Sequence, residues 1–285
     1  MPPGVLNVIT GPGSSVGQAI VEHPGIDKIA FTGDTSTGKG IMRGAADTLK
    51  KITLELGGKS PNIVLPDADL DAALRGATAG IFYGKGEVCA AGSRLLVEAS
   101  IHDDFVARLA ERAKKMSPAD PQDPKTRLGS LVSKDQMTKV LGYVETGRKE
   151  GARVVAGGER QPVNGKGWFV QATVLDGVDN SMRVAQEEIF GPVLSVIRFD
   201  DVDDAVRKAN AVDFGLAAGV WTTNVKKAHQ VARRVRAGTV WVNMYNFYDP
   251  GMPFGGYKQS GFGRDLGAEC LREVTQVKSV WVNLE

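Results

Sequence analysis

Three short apolar runs near the amino terminus each stop at glycine, and this punctuation constrains the fold more than any other feature of the 285-residue chain. Val5-Leu6-Asn7-Val8-Ile9 ends in Gly11-Pro12-Gly13, with a predicted helix from Ser15 to about Glu22. Lys28-Ile29-Ala30-Phe31 ends in Thr32-Gly33-Asp34, with a helix from about Thr35 to Leu49. Ile52-Thr53-Leu54-Glu55 closes on Gly57-Gly58. Strands alternating with helices predict α/β architecture, and three such units read as half of a dinucleotide-binding sheet. Ligands of these sheets lie beyond the carboxyl ends of the strands, where helix N-termini point amides at phosphate.

A second unit starts near Pro61-Asn62-Ile63-Val64. Its pattern predicts helices at about Asp69 to Tyr83, His102 to Lys115, Lys134 to Glu150, Val202 to Ala209 and Val225 to Ala237. Strands are predicted at Arg94 to Glu98, Arg153 to Ala156, Val193 to Arg198, Ala217 to Trp221 and Val240 to Asn243. Pro118, Pro121 and Pro124 mark a turn-rich connector, because closely spaced prolines cannot sustain a helix. The alternating run Val277 to Val282 predicts a strand with no nearby hairpin partner, suited to pairing across a subunit interface.

Lys+Arg exceed Asp+Glu by only two, so charge gives no case for nucleic acid. Arg233, Arg234 and Arg236 sit on an amphipathic segment that reads as a solvated helix face. Cys89 and Cys270 are the only cysteines, which gives no disulfide framework and suits a reducing compartment. His23, His102 and His229 are isolated in sequence, so no metal site is expected. The first residues lack a signal-peptide pattern, and no apolar run approaches membrane-spanning length. A cytoplasmic location, with no membrane partner, is the expectation.

Chemistry concentrates in two places. Glu55 stands on a strand end beside Gly57-Gly58, a pair that permits close approach of backbone to ligand. Cys89 stands in Gly86-Glu87-Val88-Cys89-Ala90-Ala91-Gly92, where small neighbours leave room for a carbonyl and for amides facing an oxyanion. A thiolate can add to a carbonyl, and a positioned carboxylate can activate the water that hydrolyses the adduct. Partial burial would raise the Glu55 pKa toward neutrality, which suits a general base. No sequence neighbour of Cys89 supplies a cation to depress its thiol pKa. Cys270, within the apolar, helix-like Leu266 to Val274, reads as structural.

Phe31-Thr32-Gly33 with Thr35 and Gly38, Leu54-Glu55-Leu56-Gly57-Gly58-Lys59, Gly86 to Gly92, Glu188-Ile189-Phe190-Gly191-Pro192-Val193 and Pro253-Phe254-Gly255-Gly256-Tyr257-Lys258-Gln259-Ser260-Gly261 occur in that order. Together they resemble the aldehyde dehydrogenase superfamily from the first residues to the last. The resemblance implies a partial Rossmann-type cofactor domain over 1–57, an α/β catalytic domain over 58–259, a return to the cofactor domain over 260–275 and a terminal oligomerisation strand over 276–285. It implies Cys89 as nucleophile, Glu55 as general base, and NAD or NADP as cofactor. Gly13, Gly17, Gly33, Asp34, Gly38 and Leu56 fall at the family's cofactor-binding positions. Glu188 and Phe190 match its nicotinamide-side contacts. Asp34 departs from the commoner serine; it either turns away to cap the helix or alters cofactor affinity. Asp265 stands where the family usually has glutamate, as a proton-relay candidate or a structural group. Tyr245, Phe247 and Tyr248 lie in a loop that lines the substrate mouth in relatives.

The same resemblance makes the chain look like the carboxyl-terminal portion of such an enzyme. The upstream segment would hold the first half of the cofactor sheet, adenosine contacts and the oxyanion asparagine. Little activity is then expected of the chain alone. The implied function is oxidation of an aldehyde to an acid through a cysteine thiohemiacetal and thioester, in a homo-oligomer (dimer or tetramer). A non-catalytic fragment serving as subunit or interaction module, and a cysteine hydrolase, stay open. A CoA-acylating relative is disfavoured, since its reaction does not need the water that Glu55 would activate.

Overall fold

The computed structural model describes all 285 residues. From the amino end its elements are α1 (Gln18–Glu22), β1 (Lys28–Thr32), α2 (Thr35–Ala45), β2 (Lys51–Glu55), β3 (Pro61–Val64), α3 (Leu70–Phe82) and β4 (Arg94–Glu98). Then come α4 (His102–Lys114), α5 (Lys134–Glu150), β5 (Arg153–Ala156), β6 (Thr173–Asp176), α6 (Arg183–Gln186), β7 (Val193–Phe199) and α7 (Val202–Asn210). The last are β8 (Phe214–Gly215), β9 (Ala217–Trp221), α8 (Val225–Arg234), β10 (Thr239–Val242), β11 (Tyr257–Lys258), β12 (Gly261–Phe262) and α9 (Cys270–Glu273).

Seven strands in the order β10-β9-β3-β4-β7-β6-β5 form the main sheet, parallel except for β5 against β6. Both faces are covered. Ile63 and Leu65 enter one apolar core with Val140 and Val144 of α5, Val206 of α7 and Val231 of α8. Val64 points the other way, to Ala77 and Ile81 of α3 and Phe105 and Leu109 of α4. A parallel sheet buried on both faces needs near-continuous apolar strands, which is why these segments read so clearly. Side-chain caps start the helices: Asp69, Ser133, Asp201 and Asn224 each accept from backbone N–H groups of the first turn. Each such cap stabilises its helix by roughly 1 kcal/mol.

A smaller sheet, in the order β1-β2-β12, holds β1 parallel to β2 with Thr32 opposite Glu55. β12 returns from the far end of the chain to lie antiparallel, with Gly261 opposite Glu55. The pairing of β8 and β11 completes the return.

Several expectations fail. Val5–Ile9 forms no strand, and Val5, Leu6, Val8 and Ile9 are exposed. The Val277–Val282 run, expected to pair across a subunit interface, finds no strand partner within this chain and leaves Trp281 94% exposed. Apolar residues become a strand only against a hydrogen-bonding neighbour, and neither run has one within this chain. The predicted Ser15 helix is a π-turn, Gly13–Gly17, leading into α1. The α2 helix stops at Ala45 and tightens into a 3₁₀ turn, Ala46–Thr48. β6, α6, β8, β11 and β12 are additions to the predicted elements.

Away from the cleft, His102 at the start of α4 is clamped by Asp103 at 2.8 Å and by buried Asp176 at 3.1 Å. Asp176 also meets Arg153 at 2.6 Å. The Asp176 and Asp103 carboxylates beside it raise the His102 pKa, so the imidazolium stabilises the fold fully below its unfolded pKa, about 6.5. That stability is lost as pH rises through the higher folded value. His102→Gln is therefore expected to cost roughly 1–2 kcal/mol near pH 5 and less near pH 9, read by urea unfolding at both pH values.

Candidate active site

A cleft of about 500 Å³ lies where the carboxyl ends of β1 and β2 face the amino ends of β3, β4 and β7. Gly33 and Asp34 follow β1, and Glu55 and Leu56 come from the end of β2. Cys89 lies ahead of β4, and Glu188 and Phe190 lie ahead of β7. Sequence reasoning placed ligands at carboxyl ends only. That holds for the small sheet, whereas the thiol comes from the opposite edge of the large one.

Gly57 and Gly58 bring these parts into contact. A Cβ on Gly57 would fall 2.3 Å from Glu188 Oε2, and one on Gly58 would fall 2.5 Å from the Cys89 carbonyl oxygen. The Gly58 N–H donates to Glu188 Oε1 at 3.1 Å. The pair thus lets the Glu188 carboxylate and the Cys89 loop close on the same stretch of backbone.

The Cys89 loop begins where α3 breaks. Gly84, Lys85 and Gly86 are consecutively left-handed, at φ 57°, 62° and 75°. A Cβ on Gly86 would come within 2.2 Å of the Gly191 carbonyl oxygen, so this glycine seats the loop against the Glu188–Pro192 turn. Lys85 pairs with Glu87 at 3.0 Å, and Glu87 accepts from the Val132 N–H at 3.0 Å. Tyr245 donates to the Ala90 carbonyl at 3.0 Å from a nest formed by Gly80, Gly92 and Gly219. Gly86→Ala is expected to lower stability by roughly 1–3 kcal/mol in thermal unfolding. Gly13→Ala, whose Cβ would meet nothing, is the silent control.

Cys89 is half-buried, and burial pushes its thiol pKa up, with Glu188 and Glu55 adding to the shift. The Ala90 N–H opposes it. The cysteine is therefore not pre-ionised by a neighbouring cation.

Glu55 is 7% exposed, and neither of its carboxylate oxygens has a hydrogen-bond partner. Burial raises its pKa to about 8; Asp265 adds to this and Arg264 opposes it. Gly255 permits the approach, since a Cβ there would lie 2.6 Å from Glu55 Oε1. Buried Ser260 fixes the strand end by donating to the Gly57 carbonyl at 2.7 Å and accepting from the Gly215 N–H at 3.0 Å.

Asp34 caps α2 while also lining the cleft. Its Oδ1 accepts from the Ser36 N–H at 2.7 Å and the Thr37 N–H at 3.4 Å at the start of α2. Of the sequence-predicted residues, the cleft gathers Gly33, Asp34, Glu55, Leu56, Cys89, Glu188 and Phe190. Gly38 sits behind Leu56, whose Cδ2 is 2.7 Å from where a Gly38 Cβ would be. Gly13 and Gly17 lie in the exposed π-turn and do not line the cleft.

Sequence reasoning missed Gln136 and Lys139, which line the cleft from α5. Gln136 Nε2 donates to the carbonyls of Ile189 at 3.0 Å and Phe190 at 2.6 Å, which holds Phe190 at φ 57°. The available signal was a polar face, Gln136, Lys139 and Tyr143, at helical spacing. The Leu266 to Val274 segment is a further correction. It forms only the single turn α9, with Leu271 and Val274 exposed, because its apolar positions find no packing partner. Phe247 and Tyr248 are exposed. No three His, Cys, Asp or Glu side chains converge as a metal site, and no helix is long and apolar enough to cross a membrane.

Residues 1–280 match the aldehyde dehydrogenase family. An aldehyde dehydrogenase of Aspergillus niger is 49% identical over 285 residues, covering 100% of this chain and 57% of that protein. The NAD+ complex structure of aldehyde dehydrogenase from Bacillus cereus superposes with a TM-score of 0.94 at 51% identity, covering 96% of this chain and 56% of that one. A crystal structure of indole-3-acetaldehyde dehydrogenase complexed with NAD+ gives a TM-score of 0.97 at 49% identity, covering 99% and 58%. The chain spans just over half the length of the relatives it matches.

Proposed function

The chain belongs to the aldehyde dehydrogenase family, and from that premise we propose that its protein oxidises an aldehyde to a carboxylic acid with NAD or NADP. The observation that carries this reading is the convergence of Cys89, Glu55 and Glu188 in one cleft. The cleft suits a dinucleotide: Gly33 and Leu56 line it at the carboxyl ends of the small sheet, and Glu188 offers a carboxylate to ribose hydroxyls. Lys139 and Gln136 flank that carboxylate's side of the cleft. When bound, the cofactor accepts the hydride that converts a thiohemiacetal into a thioester.

The chain's own residues do the rest. Cys89 gives up its proton and its sulfur adds to the carbonyl carbon, with the Ala90 amide beside the sulfur to receive negative charge. After oxidation, Glu55 takes a proton from water as the oxygen attacks the thioester; the carbon–sulfur bond breaks and the acid leaves. With a pKa of about 8, Glu55 is matched to that proton transfer near neutral pH. Copies of the chain associate in this reading through the exposed 277–282 segment, and light scattering of the chain with and without it tests that part.

The test of the chemistry is mass spectrometry of the chain after incubation with NAD+ and a simple aldehyde, alongside limited iodoacetamide labelling. An acyl adduct on the Cys89 peptide and preferential alkylation of Cys89 over Cys270 are expected. Unmodified Cys89 with faster alkylation of Cys270 overturns the assignment.

A further inference from the structure

We propose that Asp34 occupies, with its own carboxylate, the amides at the start of α2 that the pyrophosphate of a dinucleotide would take. The grip on cofactor then passes to the Glu188 side of the cleft. This builds on the dinucleotide reading above and names the residue that limits it. Asp34 Oδ1 accepts from the Ser36 N–H at 2.7 Å and the Thr37 N–H at 3.4 Å, and the Ser36 hydroxyl donates to the same atom. The Gly38 N–H donates to the Asp34 backbone carbonyl at 3.0 Å. These are the donors that a glycine turn leading into a helix presents to a bound phosphate. Here the first turn of α2 already holds an anion of its own.

The carboxylate stands where cofactor would lie. The Cys89 cleft of about 500 Å³ adjoins a second cavity of about 520 Å³, and Asp34, Lys139 and Glu188 line both. A Gly38 Cβ would come 2.7 Å from Leu56 Cδ2, so the first turn of α2 is seated against the wall of the cleft and does not draw back from it. Hydrogen bonding from Ser36 holds the Asp34 carboxyl below the usual carboxylate range, and Lys139 adds to the shift. The group is therefore charged at neutral pH. A pyrophosphate meets a fixed negative charge on the amides it needs, and it must displace that charge or lie away from α2. Glu188, held by the Gly58 N–H at 3.1 Å, is free of this competition.

Two variants of the full chain separate occupancy from charge. Asp34→Gly bares the amides, whereas Asp34→Asn keeps an oxygen on them and removes only the charge; both residues are accepted at an N-cap, and Asp34 is exposed, so circular dichroism should stay native. Inorganic pyrophosphate should shift the Ser36 and Thr37 amide resonances of Asp34→Gly at a concentration at least tenfold lower than in the parent chain, with a smaller gain in Asp34→Asn. NAD+ affinity by calorimetry should follow the same order, while nicotinamide riboside, which lacks phosphate, should bind all forms alike. In the parent chain NAD+ should shift the Gly58 amide and leave Ser36 and Thr37 in place. Asp34→Gly binding pyrophosphate no tighter than the parent overturns the proposal. So does Asp34→Asn matching Asp34→Gly, which leaves repulsion alone, or NAD+ shifting Ser36 and Thr37 of the parent as strongly as Gly58. The expected pyrophosphate series with no NAD+ binding in any form upholds the Asp34 assignment and counts against the dinucleotide reading instead.

Discussion

In a catalytically complete version of the enzyme, Cys89→Ala is expected to lower aldehyde-dependent NADH formation by ~10⁴-fold or more, the scale of loss when a covalent nucleophile is removed. Cofactor affinity should be retained, because the Glu188–Gly58 contact and the α2 N-terminus do not involve the sulfur. Steady-state NADH formation and a cofactor titration by fluorescence separate the two effects. A variant that keeps turnover within tenfold would remove the sulfur from the mechanism. The thiol also sets a pH signature. Burial, Glu188 and Glu55 hold its pKa above the ordinary value, so alkylation of Cys89 should accelerate as pH rises above neutral. Glu188→Gln, which deletes one of the carboxylates raising it, should move that profile to lower pH.

In a catalytically complete version of the enzyme, Glu55→Gln is expected to leave a first burst of NADH while slowing steady turnover by about 10²–10⁴-fold, since the thioester would form but lose its water-activating base. Glu55 works as the carboxylate and titrates at about 8, so wild-type turnover should fall roughly tenfold per pH unit below that value; the variant should lose this limb. The stability effect runs the other way. A carboxyl whose folded pKa is raised destabilises the fold as pH climbs from its unfolded value toward the folded one. Glu55→Gln should therefore be the more stable protein at pH 7, by roughly 3 kcal/mol at most, and no different below pH 4. A variant slower but less stable would place Glu55 among structural residues.

What the sequence made legible follows from how local each signal was. The main-sheet strands and the helices α3, α4, α5, α7 and α8 carry their own periodicity and caps. The Gly57-Gly58 pair is readable because only glycine tolerates a carboxylate and a carbonyl at 2.3 and 2.5 Å. Long-range pairing was illegible. Nothing in Gly261-Phe262 announces a strand, since it exists only by bonding to the end of β2. Arg94 shows the same limit in the core. Charge suggests a surface residue, yet it is wholly buried, donating to the carbonyls of Lys59, Lys208 and Ala209 and to Asn180. Sequence also predicted a strand at 5–9 from an apolar run ending at glycine, and such a run cannot supply a neighbour.

The late return of β12 to β2 has a consequence for synthesis. Glu55 and Cys89 leave the ribosome early, but Gly255, Ser260, Gly261 and Asp265, which bury and tune the carboxylate, leave nearly last. Until then a nascent chain carries a solvated glutamate with an ordinary acidity and an unframed cysteine. Water activation by Glu55 is thus withheld until translation of this span is almost finished, and a message cut short before codon 261 yields a polypeptide with both reactive side chains and no tuned base.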